Sequence, residues 1–148
     1  KTHSGNFAIN NNFFTSEKNI RGIIYMIRDP RDVCISWANH TGKTYDQSIE
    51  FMINDFQSLL WMKGENELFD ENNIPLSFIS RWDKHVISWI SIKWSCPQLI
   101  LKYEDLVYKK EPFFRSGTKN QWKKKLNKIQ IQKIDGKFKK IMDKFNYK

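Results

Sequence analysis

A histidine stands two residues after a lysine in Lys1-Thr2-His3. An imidazole titrates near neutral pH and can accept a proton as a general base. A neighbouring ammonium can offset negative charge on a leaving group. The same two residues also read as an exposed pair beside a chain end. Arg28 closes the apolar run 22–27 and is followed by Asp29-Pro30-Arg31-Asp32. A guanidinium at the carboxyl edge of a strand can grip a phosphate with two parallel hydrogen bonds. In open parallel sheets, ligands and helix N-termini gather at that edge. Ser36, later in the same helical segment, can add a hydroxyl to the same anion. The alternatives are an Arg28 paired with Asp29 or Asp32 and a Ser36 that faces solvent. Arg115-Ser116-Gly117, with Trp122-Lys123 after it, is a second anion candidate, because glycine lets backbone approach a phosphate. A turn before a basic helix reads the same way.

Other motifs carry less. Gly42-Lys43-Thr44 imitates the end of a Walker A loop, but that loop needs another glycine where Trp37 stands, and a strand before it. Asn39-His40-Thr41 fits a glycosylation sequon by chance composition. His40 and His85 have no metal-ligand spacing to each other or to the cysteines. His85, among tryptophans, reads as a packing histidine. Cys34 and Cys96 are too few for a disulfide framework or a self-contained zinc site, so no metal and a reducing, cytoplasmic setting are expected.

The elements that must position these groups follow from periodicity. Residues 22–27 form an apolar run without alternation, the pattern of a strand buried on both faces. Asp29 suits a helix N-cap, and Pro30 suits the first helical position. A second helix is expected over Tyr45–Met62 from Ile49, Met52, Ile53, Phe56, Leu59 and Leu60. Residues 64–80 read as loop, 81–94 as a helix ended by Pro97, and 99–101 as another buried strand. The tail from Lys119 reads as one or two amphipathic helices with a break at Gly136. Alternating strands and helices predict an α/β fold: a parallel sheet flanked by helices, in one domain over 1–148.

Composition bounds the answer further. With 148 residues, 40% apolar and 15% aromatic, the chain is too rich for disorder and large enough for one core. No apolar run reaches the roughly 18 residues of a membrane span, and no signal-peptide pattern opens the chain. The net charge of +9 is unevenly placed: residues 1–100 carry 10 basic and 11 acidic side chains, residues 101–148 carry 15 and 5. Such a field attracts phosphate, sulfate, nucleic acid or anionic lipid without choosing among them.

These segments occur in a known order. The chain resembles the sulfotransferases that use 3′-phosphoadenosine 5′-phosphosulfate (PAPS), especially the cytosolic type. Lys1-Thr2-His3 is similar to the family segment that carries the catalytic histidine. Ile27–Val33 with Ser36 resembles the 3′-phosphate motif. Trp82-Asp83-Lys84-His85-Val86 with Trp89 resembles a Trp-x-x-His-Val-x-x-Trp stretch, and Pro97–Leu106 the strand after it. Arg115-Ser116-Gly117 with Trp122-Lys123 resembles the region that closes over the same phosphate.

The resemblance implies a P-loop nucleotide-kinase-like sulfotransferase fold and sulfuryl transfer from PAPS to a hydroxyl or amine. It implies His3 and Lys1 as catalytic residues, and Arg28, Ser36, Arg115, Ser116 and Gly117 as contacts to the nucleotide. The family's upstream 5′-phosphosulfate loop is not among these residues, and only nine residues separate Asp105 from Arg115. Ser116 stands for the usual lysine and Asn120-Gln121 for Gly-Asp. A fragment, with an internal deletion, is therefore expected. The expected partner is a small-molecule acceptor, open among phenol, alcohol, amine, sugar and tyrosine, with no nucleic acid; Phe7, Phe13 and Phe14 line its pocket or belong to the core. The competing readings are an inactive remnant, an anion- or nucleic-acid-binding module using the basic third, and a nucleotide kinase.

Overall fold

A computed structural model describes residues 2–9, 12–13, 15–55, 58–60, 76–106 and 119–148. Its organising unit is a parallel pair of strands, β3 (Ile23–Ile27) and β6 (Gln98–Lys102), in register from Ile23 opposite Gln98 to Ile27 opposite Lys102. Two small antiparallel pairs stand apart from it: β1 (Ala8–Ile9) with β2 (Asn12–Phe13), and β4 (Ser58–Leu60) with β5 (Leu76–Phe78). The chain between β3 and β6 includes three helices, α1 (Pro30–Thr41), α2 (Tyr45–Ile53) and α3 (Trp82–Ile90). After β6 come the single-turn α4 (Tyr103–Leu106), the short α5 (Trp122–Lys125) and the long α6 (Lys128–Lys144). The α/β class and the helix-flanked parallel strands expected from the sequence are thus present.

The helix boundaries have local causes. Asp29 caps α1 by accepting from the Arg31 N–H, Pro30 starts it, and Gly42 at φ 67° ends it in the left-handed conformation glycine tolerates. Capping boxes start α2 (Thr44 with Gln47) and α6 (Asn127 with Gln130). The break in the tail therefore falls at Leu126–Asn127. Helix α6 runs straight through Gly136, whose missing side chain leaves open space, so nothing there forces a kink. Helix α2 stops at Ile53, short of the expected Met62. Residues 58–60 instead pair with 76–78, which the sequence reading placed in a loop; a short apolar run fits either period, and a cross-strand partner decided this one.

The core joins Ile27, Cys34, Ile35, Ile49, Met52 and Val86 to Trp122, Leu126, Ile134, Phe138, Ile141 and Met142. The basic tail is therefore an integral layer, with its lysines on the outer face of α6. Strand β3 is buried on one face only: Ile23 and Ile27 point inward, while Ile24 is 73% and Met26 49% exposed. The expectation of burial on both faces fails because the second face, which includes Leu99, is left open to solvent.

A buried ion pair fastens the tail to the sheet edge. Arg31, 3% exposed, holds Asp29 in two-pronged fashion, with Nη2–Oδ2 at 2.7 Å and Nε–Oδ1 at 2.9 Å. Its Nη2 also donates to the Lys148 carbonyl at 3.2 Å, and its guanidinium lies 3.7 Å from the centre of the Trp122 ring. Removing one member of such a pair strands a charge in the interior. Arg31→Ala is expected to cost about 3–5 kcal/mol. Urea unfolding checks this, and a loss below about 1 kcal/mol, the scale of a surface pair, would contradict it.

Candidate active site

Helix α3 sets His85, Ser88 and Trp89 on one face, at the three- and four-residue steps that bring side chains together. All three grip the main chain of residues 3–6. His85 Nε2 lies 3.2 Å from the His3 carbonyl, Trp89 Nε1 donates to the Ser4 carbonyl at 3.1 Å, and Asn6 N–H donates to Ser88 Oγ at 2.9 Å. Within the segment, Ser4 N–H donates to Thr2 Oγ1 at 3.0 Å. Ser4 and Asn6 are buried, whereas the His3 side chain is exposed. The backbone is fixed and the imidazole is presented to solvent. Gly5 is required between them, because a Cβ there would collide with the Phe7 ring.

Behind His85 stands Tyr25 on β3, its hydroxyl 2.9 Å from Nδ1. A carbonyl can only accept, so Nε2 carries the proton; Nδ1 then offers its lone pair to the Tyr25 hydroxyl. This is the neutral imidazole. Burial holds His85 below the usual histidine range, partly opposed by its bond to His3, and burial also pushes the Tyr25 phenol well up. His85 is therefore no mere packing residue.

The β3–α1 turn holds the second group of candidates. Arg28 lies 3.9 Å from Asp32 and 4.3 Å from the centre of the Tyr103 ring, with 18% of its side chain exposed. Pairing with Asp32, one of the two partners weighed from the sequence, is thus present. Asp32 is itself engaged, accepting from the Asn120 N–H at 2.7 Å and the Trp122 N–H at 3.1 Å. Nor are the first amides of α1 open to an anion: Asp29 N–H donates to Glu104 Oε1 at 2.9 Å and Arg31 N–H to Asp29 Oδ1 at 2.9 Å. Any anion here would meet side chains and not a bare helix end. Ser36 is exposed one turn beyond Asp32 on α1. Asp32 and Ser36 are one turn apart on α1, and Arg28 precedes that helix. Lys1, Arg115, Ser116 and Gly117 lie outside the described residues, as does Phe14; Phe7 is partly buried.

Other candidates fall away. Burial, with Asp46 nearby, pushes the Cys34 thiol up to about 12, an inert sulfur. Among the described residues, no group of three His, Cys, Asp or Glu could hold a metal, and no helix is long and apolar enough to cross a membrane.

A family model described as Sulfotransferase domain matches residues 1–109. The chain belongs to the sulfotransferase family. No curated protein and no solved structure matches it. The matched span of this sulfotransferase contains His3, the β3–α1 turn, the α3 clamp and β6, whereas 115–117 lie past its end. Sequence reasoning missed three contributors: Tyr25, Arg31 and Glu104. The signal for the clamp was present, since positions 85, 88 and 89 are one helical face. The Arg31 bond to the Lys148 carbonyl spans 117 positions and the Glu104 bond to the Asp29 N–H spans 75, which no local pattern encodes.

A neutral, partly buried His85 makes stability depend on pH. Its folded pKa lies below the unfolded 6.5, so the unfolded chain binds the proton more readily. The contribution is complete above about pH 6.5 and is lost as pH falls through the folded pKa, with a slope of at most about 1.4 kcal/mol per pH unit. The urea midpoint is expected to fall between pH 7 and 5, and to fall less in His85→Gln. Equal slopes in the two proteins would contradict a neutral imidazole.

Proposed function

We propose that this sulfotransferase transfers a sulfuryl group from PAPS to an acceptor hydroxyl or amine, with His3 as general base. The observation that carries the reading is the fixed backbone under an exposed imidazole. Three side chains of α3 hold residues 3–6 while the His3 ring stays free to meet an acceptor. In the reaction the acceptor oxygen or nitrogen attacks sulfur, the bond from sulfur to the bridging phosphate oxygen breaks, and His3 takes the acceptor's proton. A well-placed base contributes roughly 10² to 10⁴ in rate. Lys1 offsets charge on the departing phosphate of adenosine 3′,5′-bisphosphate.

The nucleotide's 3′-phosphate is assigned to Arg28 and Ser36, with Arg115, Ser116 and Gly117 closing on it. Arg28 suits the part: it is partly exposed at the carboxyl edge of β3, where it lies 3.9 Å from Asp32. Binding energy spent at this distant phosphate positions the reacting sulfur. Residues 1–148 are read as one partial domain of the P-loop nucleotide-kinase-like class, acting in the cytoplasm on a small-molecule acceptor.

Two substitutions test the assignment. Arg28→Ala is expected to weaken adenosine 3′,5′-bisphosphate at least tenfold, about 1.4 kcal/mol, by calorimetry; unchanged affinity would remove Arg28 from the phosphate site. His3→Ala is expected to abolish turnover with that affinity nearly intact, and retained turnover would remove His3 as the base.

A further inference from the structure

Between β3 and the His3 segment runs a continuous chain of groups: the Tyr25 hydroxyl, the two ring nitrogens of His85, and the His3 carbonyl. Trp89 repeats the contact one residue later, on Ser4. We infer that Tyr25, His85 and Trp89 are positioning residues for His3, with the His3 carbonyl drawing the Nε2–H of His85 and the Tyr25 hydroxyl holding the ring through Nδ1. The inference rests on the reading of His3 as the base.

Several observations converge on it. Position 85 lies between Trp82, packed against the core, and Val86 within it, on the helix side that also carries Trp89. A ring nitrogen on each side is needed only if both neighbours are to be bonded. Tyr25 sits in the middle of β3, paired across to Ile100. Its ring lies 5.9 Å from that of His85, tilted by 36°. Trp89 is braced in turn: Trp94 stacks at 5.9 Å, and both Trp94 Nε1 and Gln98 Nε2 donate to the Trp89 carbonyl, at 3.0 and 2.9 Å. Gln98 begins β6. The clamp is therefore anchored in both strands of the parallel sheet, β3 through Tyr25 and β6 through Gln98. The backbone that carries His3 takes its position from the sheet whose carboxyl edge carries Arg28.

Carboxamides discriminate this role from simple packing. Glutamine places its NH₂ where histidine has Nε2, and asparagine places its NH₂ where histidine has Nδ1. Only glutamine can donate to the His3 carbonyl.

The test uses the 148-residue chain and compares His85→Gln with His85→Asn by backbone ¹⁵N relaxation, with the three histidines followed through their ring nitrogen shifts. In the unsubstituted chain His85 is expected as the Nε2–H tautomer, and Tyr25→Phe is expected to keep that tautomer while lowering the order parameters of residues 3–5. Order parameters of residues 3–5 are expected near those of rigid backbone in His85→Gln and below about 0.6 in His85→Asn. Under PAPS turnover, His85→Asn is expected to lose about tenfold or more in kcat with KM for PAPS unchanged, and His85→Gln less than about threefold. Equal order in the two variants, or an Nδ1–H tautomer, overturns the inference. Loss of order with kcat unchanged also overturns it. A chain that neither turns over PAPS nor binds adenosine 3′,5′-bisphosphate fails the proposed function instead, while the relaxation and tautomer measurements still decide the clamp. Should His85→Asn not fold, Tyr25→Phe, which removes one oxygen and keeps the ring, carries the test through the order parameters of residues 3–5 and kcat.

Discussion

The turn from β3 into α1 packs four charged residues into five positions, Arg28 to Asp32, and three of them are buried. Charges leave water only when paired, and the pairing here fixes what surrounds it. Asp29 is taken by Arg31 through two parallel bonds, and it caps α1 with the same carboxylate. Asp32 is taken by the amides of Asn120 and Trp122. Arg31 extends to the Lys148 carbonyl and covers the Trp122 ring. The Asp32 carboxylate, through the amides of Asn120 and Trp122, and Arg31, through the Lys148 carbonyl and the Trp122 ring, thus attach α5 and the end of the tail to the sheet edge.

That arrangement constrains how an anion can be recognised at the edge. The first amides of α1 are satisfied by Glu104 and Asp29, so the helix end has little to offer a phosphate. Glu104 is itself fixed by the Tyr147 hydroxyl at 3.1 Å, and Lys102 donates to the Phe145 carbonyl beyond α6. Arg28, partly exposed, lies beside Asp32 and over the Tyr103 ring at this edge.

The parts of this molecule legible in the sequence are those encoded within one turn or one strand. Asp29-Pro30 announces the start of α1, and residues 22–27 and 99–101 announce the two parallel strands. The order of short motifs gives the family. The errors share a cause. Helix α2 was extended through Leu59 and Leu60 because their helical and strand patterns coincide over three residues, and the partner at 76–78 is distant. Gly136 was taken for a break because glycine weakens helices, yet the capping box at Asn127 and four buried apolar side chains outweigh about 1 kcal/mol. Arg31 was passed over in favour of Arg28, since spacing alone does not say which of two arginines is enclosed.

The clamp on His3 shows the same division between local and distant information. Trp-x-x-His-Val-x-x-Trp has a reason at the level of one helix: positions 85 and 89 must share a face to reach consecutive carbonyls, while Trp82 and Val86 turn toward the core. Its second reason lies 60 residues away, in the Tyr25 hydroxyl bonded to the nitrogen of His85 that the His3 carbonyl leaves as an acceptor. A strand residue, a helix residue and a loop carbonyl thereby act together. Removing the Tyr25 hydroxyl or the His85 ring leaves a polar atom without its partner in a partly buried site, a cost of roughly 1–3 kcal/mol that packing does not return. That cost couples the two side chains, and through them the backbone at His3, more tightly than either segment's own pattern indicates.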